Sequence, residues 1–131
     1  MVRYLITSAL FLLALIFSLP ANAQIKPKGK ASFYANSING HETANGEIFS
    51  QDSMTAAHKT LPFGTLVKVT NISNNKSVVV RINDRGPVRK DLSIDLTRAA
   101  AAKLDFIEEG IIRVRLQIIS MPKEEEKAAV K

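Results

Sequence analysis

Not one cysteine occurs in the 131 residues. That absence excludes disulfides, thiolate metal sites and a lipid-bearing cysteine behind an export signal. Whatever core the chain builds must therefore hold without covalent staples, which about 100 residues can manage with one well-packed core. Histidine is almost as scarce: His41 and His58 are the only two. With no HExxH and no close His pair, the ligand spacing of a zinc site is missing, and neither a metal nor another cofactor is expected. Also missing are a repeat at solenoid spacing and the βαβ rhythm of a parallel α/β sheet. The one long apolar run falls short of the roughly 20 residues a membrane-spanning helix wants.

That run has the form of an export signal. Arg3 supplies the positive start, residues 4–19 are nearly all apolar, and Ala21-Asn22-Ala23 has the small-x-small ending that signal peptidase reads. Residues 1–23 are expected to be a cleaved signal peptide, leaving Gln24 first in a soluble, unlipidated periplasmic or secreted protein with no stable membrane anchor. The net charge of +6 favours anionic partners. Basicity usually suggests nucleic acid, but an exported address points instead to an anionic polymer or surface of the envelope.

Residues 24–30, QIKPKGK, are polar and punctuated by Pro27 and Gly29, so they read as a flexible leader. Residues 31–35, ASFYA, read as a strand on which Phe33 and Tyr34 face opposite ways, one toward the core and one toward a groove. Residues 41–64 are small, polar and without helical period, the character of short strands and tight loops over a barrel. His41 falls in a loose loop and is expected to be exposed. A strand candidate over 54–57 ends at His58, before the corner of Leu61, Pro62 and Gly64. Residues 65–71 alternate as a half-buried strand and join 77–82 as a hairpin. Thr97 is a good N-cap for a short alanine-rich helix. Residues 111–119 alternate Arg113, Arg115 and Gln117 against Ile112, Val114, Leu116 and Ile118. The charged tail, 121–131, reads as disordered or frayed helix. Several short strands and one small helix make one mainly β domain over 31–120, a compact barrel.

Candidate chemistry gathers where strands end. The β-branched run 77–82 breaks into Asn83, Asp84, Arg85, Gly86 and Pro87, which fixes a carboxylate at the lip of a strand, where it is better positioned than on a loop. Asn45-Gly46 marks a turn presenting Glu47, and His58 also lies beside a corner. The stretches TANGE (43–47), TAAHKTLPFGT (55–65), VTN (69–71), VVVRINDRGP (78–87) and IDLT (94–97), in this order and spacing, resemble the rare lipoprotein A family. The resemblance spans residues 31–119. It implies a six-stranded double-psi β-barrel, expansin-like in fold, and lytic transglycosylase activity on peptidoglycan strands that lack stem peptides. By motif it implies that Asp84, His58 and Glu47 are catalytic. Asp95 of IDLT corresponds to a groove position of expansin-like barrels. Thr43, Asn45 and Asn83 of the matching motifs, with Tyr34, Arg81 and Arg85, are expected to contact substrate. The family's frequent lipidated cysteine and carboxy-terminal peptidoglycan-binding domain have no counterpart here, and SFYA stands where SWYG is common.

Cutting a glycosidic bond needs a proton for the leaving oxygen while positive charge develops on the sugar. A lytic transglycosylase, as the resemblance implies, lets the muramic 6-hydroxyl close a 1,6-anhydro ring, so one acid/base can serve both transfers. The acid is assigned to Asp84, with Glu47 beside it to raise its pKa or to stabilise the developing charge; an exchange of these roles stays open. His58 holds the acid or a substrate hydroxyl. Arg81, Arg85, Arg89 and Lys90 are candidates for glycan carboxylates. The expected partner is peptidoglycan, acted on by a monomer, with other envelope proteins open as partners. The alternatives are a non-catalytic, expansin-like wall-binding module and a structural partner of other envelope enzymes.

Overall fold

The computed structural model describes residues 25–123; the expected signal peptide and the tail beyond Lys123 lie outside them. Six strands, β1 (Ile25–Phe33), β2 (Thr55–His58), β3 (Leu66–Asn71), β4 (Ser77–Asp84), β5 (Ile94–Leu96) and β6 (Ile112–Ser120), close into a barrel in the order β1-β5-β2-β4-β3-β6. Closure leaves no sheet edge unpaired. Among the described residues a single short α-helix, α1 (Arg98–Lys103), follows β5.

Each strand follows from its own alternation. Along β4, Val78, Val80 and Ile82 are buried and Val79 is exposed; along β6, Val114 and Leu116 are buried while Arg113 and Arg115 are exposed. The inward residues meet Val67, Val69, Ile94 and Leu96 in one core, and Leu104 and Phe106 fill it from beyond the helix. Phe33 packs edge-on against Phe106 at 5.6 Å between centroids. In α1 the fully buried Ala100 and Ala101 let the backbone approach the barrel. Thr97 caps it by accepting from the Ala100 N–H at 3.3 Å, and its own hydroxyl donates to the Ser53 carbonyl. Buried Asn71 donates to the Leu104 carbonyl at 2.9 Å, fastening the β3–β4 hairpin to the end of the helix.

One boundary differs from the sequence reading. The chain enters the barrel at Ile25 rather than Ala31, because β1 pairs antiparallel with the long β6 from Ile25↔Gln117 to Ala31↔Ile112. A register shift between Lys26 and Gly29 absorbs Pro27, which has no N–H to give a ladder. The residues that argue for a mobile leader are the residues of a bulge.

Candidate active site

The site is built on one row of residues across four strands. Ser32 of β1 pairs with Asp95 of β5, Asp95 with Ala57 of β2, and Ala57 with Asp84 of β4. Phe33, Leu96 and Ala56, one step away, and Ile82, two residues before Asp84, form the facing row on the core side. Simple alternation from Ile82 would carry Asp84 inward as well. A bulge between β2 and β4, which matches Ala56 with Ile82 but Ala57 with Asp84, returns the carboxylate to the outer face. Strands lie about 4.8 Å apart, so the α-carbons of Asp84 and Asp95 are separated by roughly 9–10 Å. Ala57, 1% exposed, stands between them on β2, with Gly86 close to its methyl.

Asp84 is held by donors. The Tyr34 hydroxyl donates to one oxygen at 2.6 Å; the backbone N–H groups of Ala44 and Arg85 donate to the other, each at 2.9 Å. Tyr34 continues β1 with its N–H on the Leu96 carbonyl, and its ring lies 4.5 Å from that of Phe49. Phe33 and Tyr34 thus diverge into core and groove as the strand period requires. Burial, reinforced by Asp84, drives the Tyr34 phenol far above its ordinary pKa, so it remains a donor.

Asp95 has the opposite character. It receives the Ser32 hydroxyl at 3.1 Å. Burial pushes its pKa up from 3.8 to about 6; the Ser32 hydrogen bond opposes that rise and the charge of Asp84 adds to it. The site therefore pairs a carboxylate bound by three donors with one whose burial raises its pKa to about 6.

Glu47 is engaged elsewhere. Arg81 grips both of its oxygens, at 2.5 and 2.8 Å, and Asn45 and Asn83 donate at 2.8 and 3.3 Å. Arg81 above all, against some opposing burial, lowers its pKa to about 2. The sequence reading set Glu47 beside Asp84, to raise its pKa or to stabilise developing charge; in the structure Glu47 is paired with Arg81, and the carboxyl whose pKa is raised, in part by the charge of Asp84, is Asp95. Glu47 instead closes a tight loop. Thr43 N–H donates to the Glu47 carbonyl at 2.7 Å, the Thr43 hydroxyl to Asn45 Oδ1 at 2.6 Å, and Gly46 turns the chain at φ +91°. The product of that loop is the Ala44 N–H aimed at Asp84. Thr43 and Asn83, expected to touch substrate, are only 6% and 3% exposed. They hold the loop from beneath. Among the described residues one buried side-chain acceptor, Asn83 Oδ1, has no hydrogen-bond partner.

His58 ends β2, and its Nδ1 accepts the backbone N–H groups of Thr60 and Leu61 at 3.1 and 3.0 Å, so the ring proton sits on Nε2. Arg85 donates to the carbonyls of His58 and Leu61 at 3.1 and 2.8 Å and stacks 4.0 Å above Phe63, tying the same corner. His41 is exposed, on the loop bridged by Glu42 and Ile48. Sequence reasoning missed Ser32, Ala44 and Ala57. None carries a distinctive side chain, and only strand register reveals them. Among the described residues no three His, Asp or Glu converge to hold a metal ion.

Residues 26–116 match the sequence model of the family described as lytic transglycolase. The chain belongs to this family. It is 53% identical over 96 residues to the probable endolytic peptidoglycan transglycosylase RlpA of Treponema pallidum, covering 73% of this chain and 30% of that protein. It is also 53% identical over 95 residues to the endolytic peptidoglycan transglycosylase RlpA of Vibrio cholerae, covering 72% and 36%. The chain thus spans about a third of the length of these curated relatives. In fold it is similar to a Streptomyces papain inhibitor, at 24% identity and TM-score 0.58 over 75% of this chain and 99% of that one. An expansin of Clavibacter michiganensis matches at 20% and 0.59 over 73% and 51%. The fold is the double-psi β-barrel that the sequence motifs implied.

Proposed function

We propose that this family member is a lytic transglycosylase that cuts peptidoglycan glycan strands, prefers strands without stem peptides and leaves 1,6-anhydro-muramic ends. The observation that carries this reading is the unlike pair of carboxyl groups on one strand row, Asp95 buried with its pKa raised to about 6 and Asp84 receiving three hydrogen-bond donors. Asp95 gives its proton to the glycosidic oxygen as the C1–O bond breaks and the bonding pair stays on the leaving sugar. Asp84, steadied by Tyr34 and two backbone amides, faces the positive charge that develops at C1. The muramic 6-hydroxyl then bonds to C1, and a site carboxylate takes its proton. His58 binds a substrate hydroxyl or orients the acid, and Glu47 positions Asp84 through the Ala44 N–H. Tyr34, Asn45 and Arg85 line the groove, with Thr43, Asn83 and Arg81 supporting it. The relatives' names, which state endolytic peptidoglycan transglycosylase, and roughly 50% identity over the domain support the same reading.

The test is turnover of peptide-free glycan by the mature protein, with mass detection of anhydro ends across pH 4–8. Cleavage is expected to decline above about pH 6 as Asp95 loses its proton. Asp84→Asn and Asp95→Asn should each lower the rate roughly 10²–10⁴-fold. A rate unchanged in Asp95→Asn would remove that residue as the acid. Wild-type protein that binds glycan and yields no product would leave the expansin-like binding reading.

A further inference from the structure

The chain is strongly basic, yet the cations nearest the site are already used. Arg81 is taken by Glu47, Arg85 by two carbonyls and Phe63, and Arg89 by Asp91, which it grips at 3.1 and 2.7 Å. Lys28, Lys30 and Arg113 form no ion pair among the described residues, and Lys30 only adds its charge to the field on Asp91. These three line a cleft of about 290 Å³, closed by Gly29, Ser93 and Asp91. Asp91 is the cleft's one acid, and Arg89 already neutralises it.

The cleft is shaped by the backbone. Lys30 pairs with Arg113 across β1 and β6, which sets two cations side by side on the outer face. The bulge between Lys26 and Gly29 opens β1 there, and a Cβ on Gly29 would stand 2.4 Å from the Ser93 hydroxyl, so only glycine lets that hydroxyl approach. Lys59 anchors the preceding loop by donating to the carbonyls of Arg89 and Leu92 at 3.0 and 2.9 Å. The Ser93 N–H donates to the Lys30 carbonyl at 2.8 Å.

Position gives the cleft its meaning. Ser32 and Asp95 are register partners; Lys30 lies two residues before Ser32 on β1 and on the same face, and Ser93 lies two residues before Asp95, just ahead of β5. Two strand residues span about 7 Å. The cationic row is therefore the next row beyond Asp95, and a polymer lying across the site runs over it.

We infer that the Lys28–Lys30–Arg113 cleft binds a free carboxylate of a neighbouring sugar on the same glycan strand, and that it selects strands whose muramic carboxylates are not capped by peptide. The inference rests on the peptidoglycan reading above. A free lactyl carboxylate is an anion that the Arg113 fork, two ammonium groups and the Ser93 hydroxyl can hold. The same group in amide linkage to a peptide carries no charge.

The experiment compares peptide-free glycan with the same glycan after its carboxyls are converted to methylamides. It uses wild-type protein and the exposed double variant Lys30→Gln/Arg113→Gln, with thermal melts to verify folding. Wild type should cleave the amide form about tenfold more slowly in kcat/KM, the value of one partly solvated charged contact. The double variant should lose the distinction, cleaving both polymers at the slow rate. A wild type indifferent to amidation, or a variant that keeps the wild-type preference, overturns the inference. Should wild type cleave neither polymer, the transglycosylase reading fails, and cosedimentation with the same two glycans still decides the cleft. Tighter binding of the carboxylate form, abolished in the variant, supports it; equal binding of both forms overturns it.

Discussion

Replacing Asp95 by Asn should make the protein more stable while removing its activity. Asn keeps the side chain's shape and still accepts the Ser32 hydroxyl, so what changes is the charge. In the folded state Asp95 takes up its proton at about pH 6 against an ordinary 3.8, chiefly because it is buried and further because of Asp84. Between those two values the folded chain binds a proton that the unfolded chain has released. Stability attributable to this residue is therefore highest below pH 3.8, falls as pH rises through the window, and stays reduced above 6. A gap of about two pH units at 1.36 kcal/mol each sets a ceiling near 3 kcal/mol. Because Asp95 is partly exposed, we expect about 2 kcal/mol at pH 7.5, equivalent to a gain of roughly 10 °C in Tm for a domain of about 100 residues.

The control is built into the linkage. At pH 4 wild-type Asp95 is protonated when folded and about half protonated when unfolded, so the advantage of Asn should shrink to about 0.5 kcal/mol. Melts of both proteins at pH 7.5 and pH 4.0, followed by circular dichroism, measure the two differences. Equal melting temperatures at pH 7.5, or a gain at pH 4.0 as large as that at pH 7.5, would refute the assignment of Asp95 as the proton-holding carboxyl. The expected exchange of stability for activity is the one seen wherever a site keeps a strained charge for its chemistry.

Glu47 titrates in the opposite sense: its pKa is lowered to about 2, so its contribution is present above about pH 4.5 and is lost as pH falls through 2. Glu47→Gln should cost about 1 kcal/mol at pH 7, the upper end for a half-exposed pair gripped at two oxygens, and nothing at pH 2; urea unfolding at the two pH values measures this. Ala57→Val should lower cleavage at least tenfold by filling the space between the two carboxylates, and should destabilise by about 1–3 kcal/mol through overpacking at a position 1% exposed. A valine variant with wild-type turnover would show that substrate does not lie across that row.

Local pattern made much of the barrel legible. The β3–β4 hairpin needs only alternation and the turn-rich ISNNK between its strands, and Thr97 announces the helix it caps. Long-range register could not be read in this way. The parallel pairing of β1 with β5 joins Ser32 to Asp95 across 63 residues, and nothing in SFYA or IDLT specifies which position of one meets which of the other. The β2–β4 bulge is equally silent, although it decides the face on which Asp84 emerges. Sequence reasoning therefore named these residues without their neighbourhoods: it set Glu47 beside Asp84 rather than on Arg81, and it held Asp95 as a supporting residue without the burial that raises its pKa. Gly29 and Pro27 misled for a related reason, since a bulge in a paired strand and a flexible leader use the same amino acids.

The placement of the cations suits the charge that the proposed reaction develops. A net-positive chain that cuts a glycosidic bond faces a conflict, because the sugar becomes positive at C1 and an uncompensated cation about 5 Å away would oppose it by about 3 kcal/mol at an effective dielectric of 20. Arg81 and Arg85 flank Asp84 in sequence and would be such cations. Both are neutralised or turned away, Arg81 onto Glu47 and Arg85 onto backbone carbonyls and the Phe63 ring. What remains exposed across Ala57 is carboxylate. The unpaired positive charge begins one row further on, at Lys30 and Arg113, where it can attract an anionic strand without meeting the reacting carbon. In the proposed reaction Glu47 serves the chemistry at a distance: by neutralising Arg81 it keeps that cation's field from C1, and by closing its loop it delivers the Ala44 N–H to Asp84.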